Sequence, residues 1–161
     1  MSATKILIIR FTTLIWTTIF VIGCTNQPNP DHYGVFAVEQ NRLKELNHIT
    51  KQPQFAFNEN ESINDDLNGD AYFIIYGDFG NPRLIEVTSN LKYKSRYELD
   101  FNTHPDKIVN VPFNLSPLKG EKDMITLKPK IKLKSGLYAL SVVGCPDNAW
   151  DFRCNHPFRV R

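Results

Sequence analysis

The sequence predicts an all-β protein, an antiparallel β-sandwich that follows a cleaved N-terminal signal helix. Three observations predict it. Lys5 and Arg10 precede an uncharged stretch, Phe11 to Ile22, in the layout of an export signal with a basic n-region and an apolar h-region. Ala71 to Gly77 is apolar on both faces, as a strand in the middle of a sheet is. Ser95 to Phe101 alternates, with Tyr97, Leu99 and Phe101 on one side and Arg96, Glu98 and Asp100 on the other, the period of a strand with one wet face.

The first element is the export segment itself. The run from Phe11 to Gly23 is 13 residues long and holds four threonines, whereas a spanning helix needs about 20 mostly apolar residues. It is short for a membrane anchor, the rivals to a cleaved signal being an uncleaved signal-anchor and a soluble secreted protein with a chance cysteine, and it ends in Val21-Ile22-Gly23-Cys24. Those four residues resemble the lipobox of bacterial lipoproteins, in which a small residue precedes a cysteine that is diacylated on sulfur and becomes the mature N-terminus. The resemblance implies acylation of Cys24, removal of residues 1–23, and attachment to the bacterial cell envelope by lipid. Thr25 is not the aspartate that favours inner-membrane retention in this family, so the expected address is the outer membrane, facing the periplasm. If Cys24 carries lipid, Cys145 and Cys154 remain, and an oxidising compartment makes a disulfide their default pairing.

Removal of Lys5 and Arg10 leaves a mature chain of 138 residues, one domain in size, with 17 basic and 17 acidic residues. A neutral chain lacks the basic footprint that nucleic-acid binding needs. The charge is uneven: residues 25–80 carry nine acids and three bases, residues 81–161 eight acids and fourteen bases.

Residues 24–32, polar and with two prolines, read as a tether. A folded domain is expected over residues 33–161. Tyr33 to Val38 and Arg42 to Leu46 read as a hairpin, the rival being a short helix carrying Leu43, Leu46 and Ile49. Asn58 to Asp70 reads as an acidic surface loop. Asn64, Asp66, Asn68 and Gly69 imitate the opening of a calcium loop, but the closing glutamate would fall on Ile75, inside the strand that follows. A turn over Asp78 to Pro82 leads to a strand over Arg83 to Val87. Val109, Val111 and Phe113, around Pro112, read as one short edge strand.

From Ile125 onward Lys128, Lys130, Lys132 and Lys134 share one parity, so an extended chain would set four ammonium groups on one face. Such a stripe could meet anionic lipid headgroups or an acidic partner, or blunt a sheet edge against further pairing. Leu133 to Leu140 then carries a leucine, a turn ending in Gly136, and Tyr138 entering an apolar strand. This resembles the tyrosine corner of immunoglobulin-like sandwiches, although Leu140 stands where immunoglobulin domains place a cysteine. The resemblance implies that the hydroxyl of Tyr138 bonds the upstream backbone, that residues 137–143 are the penultimate strand, and that His156 to Arg161 is the last, with Pro157 tolerated near its start.

No catalytic constellation is legible. His32, His48, His104 and His156 lie at no metal-ligand spacing, and no phosphate loop, nucleophile elbow or dinucleotide fingerprint occurs. No enzyme activity, cofactor or metal is expected. The expected function is a membrane-anchored interaction module that meets another envelope protein through the loop closed by Cys145 and Cys154, with Trp150 and Phe152 as candidate contacts, the rival being that both rings pack beneath the loop. The alternative is a structural accessory with no ligand of its own; a small-molecule carrier is the third reading.

Overall fold

A computed structural model describes residues 28–48, 56–58, 63, 65–78, 80–93, 96–98, 105–143 and 153–161. The strands are β1 (Gly34–Glu39), β2 (Arg42–Glu45), β3 (Ala56–Asn58), β4 (Asp66–Leu67), β5 (Tyr72–Tyr76), β6 (Gly80–Glu86), β7 (Lys92–Tyr93), β8 (Arg96–Glu98), β9 (Val109–Asn110), β10 (Phe113–Pro117), β11 (Met124–Pro129), β12 (Gly136–Val143) and β13 (Arg153–Val160). They form one five-stranded sheet in the order β10-β11-β5-β1-β2, a second in the order β4-β13-β12-β6-β9, and a small sheet β3-β8-β7. All pairings are antiparallel except β13 with β4. The all-β expectation therefore holds; the expected signal helix lies outside the described residues.

The first hairpin forms because Gln40 and Asn41 both take positive φ, 47° and 61°. Two consecutive left-handed residues make the primed turn whose twist matches the strands it joins. Val38 then opposes Leu43, and the helical rival is excluded. β5 is central as expected, flanked by β1 and β11, with Phe73 opposite both Ala37 and Leu127.

The two large sheets face each other across one core. Val35, Ala37, Phe73, Ile75 and Leu127 of the first sheet cluster with Leu84, Tyr138, Leu140, Val142, Phe158 and Val160 of the second. The Phe73 and Phe158 rings meet across the layers at 5.1 Å, and Tyr138 stacks on Phe158 at 5.6 Å. A second cluster, Ile85, Val87, Leu91, Ile108, Leu137 and Ala139, covers the reverse face of β6 and β12, with Tyr97 packed against it. The middle of the second sheet is thus buried on both sides.

Four expectations need correction. The segment read as one edge strand divides between the sheets: β9 borders β6, β10 borders β11, and the chain crosses at Val111-Pro112. Val111 is buried there and its N–H donates to Leu84 O at 2.8 Å, while Pro112 O accepts from Lys130 N at 2.9 Å. The acidic loop is only partly a surface, since Asp65 and Leu67 are buried and β4 pairs with the C-terminal strand. Gly69 is required there, because a Cβ would lie 2.2 Å from Leu133 O. β6 starts at Gly80 and so includes Pro82, which falls where the pairing with β12 shifts register, a position that needs no ladder N–H.

The last correction concerns Pro157, which is the fifth residue of β13 and not near its start. Arg159 and Arg161 donate their N–H groups to Asp65 O and Leu67 O, on the β4 side. By alternation the nitrogen of Pro157 faces that same side, ahead of the first β4 pairing at Arg159, so no hydrogen bond is lost.

Candidate functional site

Two polar groupings stand out. The first lies on the outer face of the first sheet beside the β10–β11 hairpin, whose register sets Ser116 opposite Thr126. Lys128 is two residues further along β11 and so shares that face. Together with Lys119 from the hairpin turn, Tyr72 from β5 and Asn41 from the β1–β2 turn, they line a cavity of about 380 Å³. Lys119 and Lys128 are exposed, and neither has an ion-pair partner among the described residues. Two uncompensated ammonium groups beside two hydroxyls can hold an anion with several oxygens.

The start of the described chain is held against the same hairpin. Asn29 Nδ2 donates to Glu121 Oε1 at 2.7 Å, and Pro30 is buried. Next along the chain, His32 lies between two carboxylates, its Nδ1 2.6 Å from Asp31 and its Nε2 3.2 Å from Glu45. Bonding to Asp31 and then to Glu45 raises the His32 pKa, since both carboxylates accept and the protonated ring can donate twice. Tyr33 is 62% exposed and its ring lies 4.6 Å from that of Tyr76.

The second grouping is gathered where the chain leaves β2 and meets β13. Asp65 is buried, its Oδ1 3.1 Å from Lys44 Nζ, and its Oδ2 accepts from Asn47 N at 3.3 Å. One residue before Asn47, Leu46 O accepts from His156 Nδ1 at 3.0 Å, which assigns the proton to Nδ1. His156 Nε2 has no hydrogen-bond partner, and the ring lies 5.8 Å from that of His48. Burial pushes the His156 pKa down to about 4; the nearby His48 lowers it further, and the bond to Leu46 O and the charge of Asp65 oppose the shift. A neutral imidazole tied to Leu46 fastens the chain after β2 onto β13. Among the described residues no group of three His, Cys, Asp or Glu is placed to hold a metal ion.

Of the residues singled out by sequence, Cys24, Cys145, Trp150 and Phe152 lie outside the described residues. Cys154 is buried and disulfide-bonded. The lysine stripe does not form as one face, because β11 ends at Pro129. Lys128 faces the cavity, Lys132 pairs with Asp70 at 2.6 Å, and the carbonyl of Lys134 accepts from Tyr138 Oη at 3.1 Å. Lys130 is exposed beyond the strand end.

Sequence reading missed Lys119, which belongs to no periodic pattern, and the meeting of His48 with His156, 108 residues apart. No family model, curated protein or solved structure matches this chain.

Proposed function

We propose that this protein is a lipid-anchored protein of the bacterial envelope whose domain is a non-catalytic interaction module with an immunoglobulin-like sandwich fold. The observation that carries the reading is Val21-Ile22-Gly23-Cys24, at the end of an apolar run too short to span a bilayer. Acylation of Cys24 puts the domain on the outer membrane, facing the periplasm. A disulfide between Cys145 and Cys154 then presents Trp150 and Phe152 to another envelope protein.

Support for the fold comes from the strand order. Sheets β10-β11-β5-β1-β2 and β4-β13-β12-β6-β9 follow the Greek-key arrangement of immunoglobulin domains, with β12 and β13 as the last two strands. The bond from Tyr138 Oη to Lys134 O is the tie expected of a tyrosine corner.

The test is palmitate labelling in the producing bacterium. The unaltered protein should take up label and Cys24→Ser should not; a labelled serine variant would overturn the anchor. Crosslinking in cells then tests the module, with Trp150→Ala/Phe152→Ala expected to lose the attached envelope protein while the domain stays folded.

A further inference from the structure

We propose that the outer face of the first sheet, beside the β10–β11 hairpin, faces the bilayer, and that its cavity takes the phosphate of an anionic phospholipid headgroup between Lys119 and Lys128. This rests on acylation of Cys24. Asn29 is five residues along the chain from Cys24, and five extended residues reach at most about 18 Å. Asn29 is bonded to Glu121, two residues from Lys119 in the same turn. An acyl chain at Cys24 therefore keeps this hairpin, and the outer face beside it, close to the headgroups.

The chemistry of the hairpin suits that position. Residues 117–134 carry six lysines and two acids, Glu121 and Asp123. Glu121 is engaged by Asn29, and Lys132 by Asp70. Lys119 and Lys128 then both line a cavity whose other lining residues include Ser116 and Thr126, hydroxyl groups able to donate to phosphate oxygens. Tyr33, four residues beyond Asn29 and largely exposed, is an amphipathic ring of the kind that rests at the bilayer–water interface. A free anion shares this chemistry, but only the anchored headgroup is concentrated within a screening length of the site.

The experiment uses the full acylated protein reconstituted into vesicles of phosphatidylcholine alone and of equal parts phosphatidylcholine and phosphatidylglycerol. Brief acetylation followed by mass spectrometry should find Lys119 and Lys128 protected severalfold in the mixed vesicles, with Lys107 labelled equally in both. Equal labelling of Lys119 and Lys128 in the two membranes would overturn the proposal. Equal protection by inorganic phosphate added to the phosphatidylcholine vesicles would overturn the choice of a lipid.

A titration with soluble dihexanoylphosphatidylglycerol tests the cavity without the bilayer. An exposed lysine–phosphate ion pair contributes up to about fivefold, so Lys119→Gln/Lys128→Gln should weaken this lipid by up to roughly 30-fold with an unchanged circular dichroism spectrum. Unaltered affinity would overturn the site. The mass of the native protein reports acylation separately, so failure of the anchor and failure of the cavity are distinguishable.

Discussion

His156 is a base buried where a charge would be costly, and an imidazole meets that cost by giving up its proton. Its pKa of about 4 lies below the ordinary 6.5 of the unfolded chain. As pH falls through 6.5 the unfolded chain takes up a proton that the folded ring refuses until about pH 4, so stability is full above the upper value and declines across the window. A depression of this size corresponds to roughly 3 kcal/mol at its fullest. His156→Asn keeps an N–H that can reach Leu46 O and carries nothing to titrate. Urea unfolding at neutral pH and at about pH 4.5 should find that the original protein loses about 2 kcal/mol more than the variant. Equal losses would mean that the ring is hydrated and unshifted. His32 works in the opposite direction: its raised pKa gives a contribution that is complete below 6.5 and is lost as pH rises through the folded value.

At the scale of the element, β12 is tied to the turn that precedes it by a single hydroxyl. Tyr138 is buried, its ring stacked on Phe158, and its oxygen donates to Lys134 O. Burial, and then the charge of Glu86, raise its pKa, so the hydroxyl stays a donor throughout the neutral range. Tyr138→Phe keeps the ring and removes the donor, leaving the carbonyl of an exposed lysine to water. The expected cost is about 1 kcal/mol by thermal or urea unfolding, with the core packing unchanged. A loss of several kcal/mol would mean that the hydroxyl organises the whole corner.

Elements whose evidence is local were legible in the sequence. β5 is a both-face apolar run, the β1–β2 hairpin brackets a polar turn, and β12 follows a glycine-ended turn with a tyrosine two residues on. Elements that exist only through a partner were not. β4 is two residues long and is a strand because Arg159 and Val160 lie beside it. The parity of Lys128 to Lys134 suggested a strand running on through all four lysines, but β11 ends at Pro129, opposite Phe113, where its partner β10 begins. The candidate cavity was hidden for the same reason: Lys119 and Lys128 meet only after the hairpin has set its register.

At the scale of the molecule, the second sheet is the shared wall of two cores. Leu84 and Ile85 are successive residues of β6 and both are fully buried, Leu84 toward the first sheet and Ile85 toward the cover formed by Leu91, Ile108 and Tyr97. Truncating either side chain removes buried methyl groups and leaves a cavity, at a cost of about 2–5 kcal/mol, a large part of the 5–15 kcal/mol that typically holds a domain together. A wall common to both cores couples them, because β6 cannot leave the second sheet without exposing both faces at once. Leu84→Ala and Ile85→Ala should therefore each lower the midpoint of one cooperative transition, with far-UV and near-UV circular dichroism melting together. Were the small sheet and its cover an independent unit, Ile85→Ala would instead split off an early near-UV transition from Tyr97 and its neighbours while the far-UV signal of the larger sheets stayed in place. Coincident melting in both variants is the outcome required of a sheet buried on its two sides.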